Sequence, residues 1–143
     1  MKTFPHYLMM WLVFSLLFTM AVVGLELLEG SRITTSQYYG LRNIGVIFIL
    51  FTLLLVMALY PLLFLPLTLL VHRWIRLFSV RLLVYGVVGG AFGIWMFGFL
   101  YEYLEDAQLI EAYGLNMASA IILFALAGLF YGLADHFTGK RRE

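Results

Sequence analysis

The chain contains 143 residues, of which 64% are hydrophobic and 12% are charged, and its formal net charge is +1. This composition excludes an ordinary soluble domain and is typical of an integral membrane protein. The absence of cysteine excludes disulfides, thiolate catalysis and thiolate metal sites, and the short basic runs beside apolar segments do not indicate nucleic-acid binding.

The first apolar stretch covers about residues 7–27 and predicts a membrane span. Twenty residues at about 1.5 Å each cross the roughly 30 Å hydrocarbon core of a bilayer. A cleaved signal peptide is the alternative, because Lys2 supplies a positive start. The apolar run is longer than a usual signal core, which favours a retained helix.

Two acids, Glu26 and Glu29, close this first span. They lie three residues apart and therefore share one helix face. The favoured interpretation is an interfacial acid that extends to water. The alternative is a candidate ion or proton site, which requires an acid at the end of a span to face the interior of the bundle.

The second apolar stretch, about residues 44–71, is longer than a bilayer requires and contains Pro61 and Pro66. Because proline lacks an N–H and clashes with the preceding turn, we expect a kink between Met57 and Pro61. The segment that follows, HRWIRLFSVRL, carries Arg73, Arg76 and Arg81. We expect it to be a short basic amphipathic segment in the headgroup region that attracts anionic lipid.

The third stretch, about residues 82–101, contains a stripe of glycines, and the fourth, about residues 116–134, repeats the four-residue spacing of small residues. Small residues let helix backbones approach closely in a membrane, where packing rather than hydrophobicity drives association. We therefore expect a glycine-zipper type of packing against a neighbouring helix of this chain or of an identical copy, the alternative being a partner protein or a ligand groove. The predicted helix-packing residues are Gly86, Gly89, Gly90, Gly93, Gly128 and Gly132.

The loop between the third and fourth spans carries only acidic charges, from Glu102, Glu105, Asp106 and Glu111. Their spacing does not match a calcium loop, so we expect an outer acidic surface that faces solvent. A docking surface for a cationic partner is the alternative.

The distribution of basic residues predicts the orientation of the chain. Placing both termini and the loop between the second and third spans on one side collects seven of the nine bases there, and the positive-inside rule then makes that side cytoplasmic. The seven bases are Lys2, Arg73, Arg76, Arg81, Lys140, Arg141 and Arg142.

The same side receives His6, His72 and His136, together with Asp135. A salt bridge between Asp135 and the arginine cluster is the favoured interpretation, and a metal site shared by the histidines is the weaker one because their spacing in the sequence is wide. We predict neither a metal site nor a cofactor.

These patterns predict a single all-α membrane domain over residues 1–143, with four transmembrane helices at about 7–27, 44–71, 82–101 and 116–134. We expect a multi-pass protein of the cell membrane with both termini in the cytoplasm. No nucleophile and base, aspartate pair or histidine-glutamate metal motif indicates an enzyme.

The favoured function is that of a non-enzymatic accessory, regulatory or immunity-like subunit that acts through helix-helix contacts. Its expected partners are the lipid bilayer, with anionic lipid at the arginines, and either a membrane protein or further copies of itself. The alternative is a small oligomeric transporter or channel that uses Glu26 at the membrane edge.

Overall fold

The computed structural model describes residues 4–32, 41–103 and 113–140, with the side chains of all of these except positions 42, 43, 102, 103 and 140. The described chain is almost entirely helical. Four helical segments are long and apolar enough to cross a membrane, which confirms the all-helical fold with four candidate membrane spans. They are Phe4–Arg32, Val46–Trp74, Phe78–Tyr101 and Met117–Gly139, called spans 1 to 4 below.

Span 1 consists of helix α1 (Phe4–Leu28) and a 3-10 turn (Gly30–Arg32). A short helix α2 (Leu41–Ile44) precedes span 2, and Gly45, between the two, has a φ of 55°. Glycine suits this position because a side chain disfavours a positive φ.

Span 2 is irregular where its first proline lies. Helix α3 (Val46–Leu59) is followed by a π-helical turn (Tyr60–Phe64) and by helix α4 (Leu65–Trp74). The N–H of Leu65 bonds to the carbonyl of Tyr60, five residues back. Since Pro61 has no N–H to give to Met57, the regular hydrogen-bond ladder is interrupted here, as a proline within a helix requires.

Spans 2 and 3 are joined by an extended link, residues 75–77, and span 3 consists of helix α5 (Phe78–Gly98) and a π-helical turn (Phe99–Tyr103). The basic segment is therefore divided between the end of α4, the link and the start of α5. Its position at a membrane surface stays a prediction. Span 4 lies in helix α6 (Met117–Lys140).

Both α4 and α6 extend beyond the expected ends of their spans, at 71 and 134. Polar residues in the added turns, His72 and Asp135, bond to each other.

The interior of the bundle is filled by aromatic rings. Spans 3 and 4 form the most extensive helix pair, and span 1 packs against both span 4 and span 2. The rings contributed by all four spans contact one another at the centre, and they belong to Phe14, Phe18, Phe64, Phe92, Phe124 and Tyr131. In the described residues, the backbones of spans 2 and 3 approach each other closely only at isolated points.

The two ends of the bundle differ in chemistry. One end carries His6, His72 and Asp135 and is called the histidine end. The opposite end carries Glu26 and Glu29 and is called the glutamate end. Each end contains buried charged groups, and these define the candidate site.

Candidate functional site

At the histidine end, one residue from each span joins a single polar cluster, called the four-span cluster. It contains His6 from span 1, His72 from span 2, Arg81 from span 3 and Asp135 from span 4. The carboxylate of Asp135 accepts from Nε2 of His6 at 3.0 Å and from Nε2 of His72 at 2.5 Å. Arg81 extends the cluster, with its Nη1 atom 2.8 Å from Nδ1 of His72.

The contact with Arg81 determines which nitrogen of His72 carries the proton. A guanidinium group only donates hydrogen bonds, so Nδ1 of His72 must accept and its proton must lie on Nε2. From Nε2 the ring donates to Asp135. His72 therefore connects a buried carboxylate to an arginine, and this arrangement compensates the charge of Asp135, which is only 2% exposed.

His6 has a different second contact. Its Nδ1 atom lies 3.4 Å from the hydroxyl of Thr138, which donates its own proton to the carbonyl of Ala134 at 2.7 Å. The oxygen of Thr138 can therefore accept a hydrogen bond from His6. Nδ1 of His6 can therefore carry a second proton and donate it to Thr138. Nδ1 of His72 cannot carry one while Arg81 keeps its position.

The third histidine, His136, stacks on Phe78 with the ring centroids 4.0 Å apart. Within residues 4–32, 41–103 and 113–140, no group of three or more histidine, aspartate or glutamate side chains is arranged to hold a metal ion. At the four-span cluster the two carboxylate oxygens already accept from the imidazoles, and the positive Arg81 disfavours a cation.

At the glutamate end, Glu26 is 3% exposed and lies inside the bundle. Its Oε1 accepts from the hydroxyl of Tyr101 at 2.8 Å, and its Oε2 accepts from the N–H of Leu41 at 3.1 Å. Leu41 is the first residue of α2, where a carboxylate is stabilised by the helix dipole. Gly30 leaves space for this carboxylate, because a Cβ there would lie 2.5 Å from Oε2.

Glu29 is also inside the bundle, 2% exposed, and lies at the start of α6. Its oxygens accept from the N–H of Asn116 at 2.9 Å and from the hydroxyl of Ser119 at 2.6 Å. Arg32 lies 3.7 Å from the same carboxylate and donates to the carbonyl of Gly114 at 3.0 Å. The two glutamates therefore bind the N-terminal ends of two different helices rather than extending to water.

A chain of hydroxyl groups follows the four-span cluster toward the centre of the bundle. Thr68 donates to the carbonyl of Phe64, so the hydroxyl of Tyr131 donates to Thr68 at 2.7 Å, and the hydroxyl of Tyr60 lies 3.3 Å from Tyr131. In the sequence these three residues are marked only by being polar, as a threonine and two tyrosines within otherwise apolar stretches, and they were not predicted as a site.

The glycines of span 3 lie in two different environments, against span 4 and along a groove beside it. Gly89 and Gly93 face span 4, whose own Gly128 faces the carbonyl of Tyr85. A Cβ on Gly93 would lie 2.6 Å from the carbonyl oxygen of Ala120, and a Cβ on Gly89 or Gly128 would also overlap backbone atoms. At these three positions only hydrogen permits the observed approach of the two helices.

Gly86 and Gly90 lie along a shallow groove on the outer face of spans 3 and 4. A Cβ on Gly90 would meet nothing closer than 3.7 Å, so this glycine is not required by the contact between the two spans. A Cβ on Gly86 would approach the side chain of Leu129, and one on Gly132 would approach the side chains of Tyr85 and Leu82, rather than backbone. The groove is lined by Leu83, Gly86, Val87, Gly90, Ala91, Ile94, Ile121, Ala125 and Leu129.

The remaining predicted residues fall into two groups. Arg73 and Arg76 are exposed near the link between spans 2 and 3, whereas Arg81 is half-buried in the four-span cluster. The outer acidic surface lies outside the described side chains. Its predicted members are Glu102, Glu105, Asp106 and Glu111.

Comparison with known proteins adds no relative, because no family model, no curated protein and no solved structure matches the chain.

Proposed function

We propose that this chain is a non-enzymatic accessory or regulatory subunit, immunity-like in its manner of action, that binds a helix of another membrane protein or of a second copy. The binding surface is the groove of spans 3 and 4 that contains Gly86 and Gly90. We place the protein in the cell membrane with both termini in the cytoplasm, on the strength of its charge distribution.

The small residues that line this groove carry the proposal. A leucine or valine on the outer face of a membrane helix packs against lipid tails, so its exposure does not indicate a protein partner. Glycines four residues apart form a bare strip along which another backbone can approach and gain van der Waals contact. Gly89 and Gly93 already form such a contact with span 4. Gly86 and Gly90, with the same four-residue spacing, line the groove beside that contact.

The filled interior supports a role based on contact. Aromatic rings from all four spans occupy the centre of the described bundle, and Phe14 alone contacts the rings of Phe18, Tyr60, Phe64 and Tyr131. The described part of a single copy therefore has no wide path for a solute through its centre, whereas its outer faces are available to partners.

Photo-crosslinking in native membranes tests the proposal. A photoreactive residue at Val87, in the groove, should form a discrete adduct with one partner or with a second copy. The matched position is Phe51, which is exposed on span 2 and outside this groove. Gly90→Leu should abolish the adduct and Leu83→Ile should preserve it, with thermal unfolding used to verify that both variants fold. Equal labelling from both positions, or an adduct that survives Gly90→Leu, would contradict the proposal.

A small oligomeric transporter or channel is the second candidate, and the burial of Glu26 favours it. An interior carboxylate held by the hydroxyl of Tyr101 can exchange a proton or bind a cation when the helices move. Flux of protons or cations in proteoliposomes tests this function. Glu26→Gln should abolish proton-dependent flux while Glu29→Gln, the neighbouring control, retains it. Unchanged flux in Glu26→Gln would dismiss the transporter.

A further inference from the structure

His72 lies between two groups of opposite charge at the junction of spans 2 and 3. Its Nε2–H donates to Asp135 and its Nδ1 accepts from Arg81. Both ring nitrogens are therefore used in the neutral state. A second proton on this ring must enter at Nδ1, where an N–H of Arg81 already points.

Protonation of His72 is incompatible with the present position of Arg81. Two N–H donors would face each other, and two positive groups would be 2.8 Å apart where now a donor meets an acceptor. The contact would change from attractive to repulsive. Because Asp135 holds the imidazole from the other side, Arg81 is the group that has to move.

Other titratable groups lie around this contact. From span 1, His6 bonds to the other oxygen of Asp135, and Tyr7 interacts with the same carboxylate. Tyr60 and Tyr85, from spans 2 and 3, also interact electrostatically with Asp135, while His136 stacks on Phe78. The two histidines differ at Nδ1, because this atom of His72 faces a donor, Arg81, whereas that of His6 faces the hydroxyl of Thr138, which can accept.

The contact of Arg81 with His72 is a polar link between two spans that otherwise pack loosely. Beside it, spans 2 and 3 border an apolar groove lined by residues such as Leu67, Leu70 and Val84. The second bond of Arg81, from Nη2 to the carbonyl of Arg76 at 3.2 Å, reaches only the link between the spans. Loss of the contact with His72 therefore releases span 3 from span 2 at the histidine end.

We propose that His72 is a proton-binding site whose occupation expels Arg81 and separates the histidine ends of spans 2 and 3. The ligand is the proton. The expelled Arg81 joins the exposed Arg73 and Arg76 at the end of the bundle. This inference concerns the isolated chain and does not rest on the partner-binding function proposed above.

Distance measurements between spin labels on the purified full-length chain test the proposal. Labels at Leu70→Cys and Leu83→Cys report on spans 2 and 3, since both positions are exposed and the chain has no other cysteine. As the pH falls from about 8 to about 5, the mean distance should lengthen by about 2 Å or more, the size of helix shifts at packed interfaces. An unchanged distance would overturn the proposal without reference to any variant.

Three variants assign the response to His72. His72→Gln can accept from Arg81 and donate to Asp135 without titrating, so its distance should stay short at every pH. Arg81→Gln should show the longer distance already at pH 8, and His6→Gln should keep the response. A response that persists in His72→Gln, or that vanishes in His6→Gln alone, would overturn the assignment.

A direct measurement covers the case in which a variant fails to fold. Nitrogen-15 NMR of histidine-labelled wild-type protein should show His72 with its proton on Nε2 at pH 8, and doubly protonated in the conditions where the spin labels separate. A proton on Nδ1 at pH 8, or label separation without protonation of His72, would refute the mechanism.

Discussion

Glu29 illustrates how a carboxylate is held inside an apolar bundle. Its two oxygens meet the backbone N–H of Asn116 and the hydroxyl of Ser119 at the start of α6. Charged acceptors form stronger hydrogen bonds than neutral ones, and a helix N-terminus adds a favourable dipole. The carboxylate therefore attaches span 1 to span 4 as well as satisfying its own charge.

Removal of this carboxylate should destabilise the fold. Glu29→Ala removes two hydrogen bonds to a charged acceptor, from the N–H of Asn116 and the hydroxyl of Ser119, so we expect the free energy of unfolding to fall by about 2 kcal/mol, measured by denaturant titration in detergent micelles. Ser119→Ala should cost less, and in the double variant the two losses should overlap by about 1 kcal/mol because both remove the same bond. If the losses of the two single variants simply add in the double variant, the bond between Glu29 and Ser119 contributes nothing to stability. Ser31→Ala, at an exposed serine, is the control.

At the scale of elements, span 2 depends on a group supplied by span 1. Pro61 cannot donate to the carbonyl of Met57, and the indole N–H of Trp11 donates to that carbonyl at 2.9 Å instead. An unpaired carbonyl within a bilayer is costly, so this side chain completes the backbone hydrogen bonding of another helix.

The bond from Trp11 replaces one that Pro61 cannot make, so a change at Pro61 should reduce the cost of losing Trp11. Trp11→Phe should lower the free energy of unfolding by about 2 kcal/mol, because the hydrogen bond to the carbonyl of Met57 is lost and the smaller phenyl ring fills less space. In a Pro61→Ala background the alanine N–H can bond to Met57, so the same Trp11→Phe change should cost much less. A thermodynamic cycle from denaturant titrations measures this, and an equal cost in both backgrounds would refute the explanation.

Only some glycines of spans 3 and 4 are required for the close approach of the two helices. Gly93→Ala forces a methyl group against the backbone of Ala120 and should cost about 1–3 kcal/mol of stability, as overpacking does. Gly90→Ala has room and should change stability by less than about 1 kcal/mol, in the stabilising direction expected from helix propensity. Thermal unfolding of the two single variants makes the comparison. Equal destabilisation by both would contradict the division of the stripe.

At the scale of the whole molecule, the distribution of basic residues predicts the orientation of the chain. The cysteine-free chain allows a clean test with Ser31→Cys at the glutamate end and Ser79→Cys at the histidine end, both exposed positions. A membrane-impermeant thiol reagent added to intact cells should label the first variant and reach the second only after permeabilisation. Labelling of Ser79→Cys in intact cells would reverse the proposed orientation.

The sequence alone was enough to predict the class of the fold and the number of helices that could span a membrane. Long uncharged stretches can satisfy their backbone in lipid only as helices, so hydropathy determines this much. The spacing of Glu26 and Glu29 also placed them on one face, and proline chemistry located the irregularity of span 2 within about one turn.

Only the tertiary structure decided which polar groups meet. Asp135 bonds to His6, 129 positions away, and to His72, 63 positions away, and no local pattern encodes those pairs. The glycine stripe likewise had two possible faces, and the position of span 4 assigned Gly89 and Gly93 to the interior and left Gly90 along the outer groove. The physical reason is that periodicity specifies the face of one helix, whereas burial and hydrogen bonding depend on which helix lies against it.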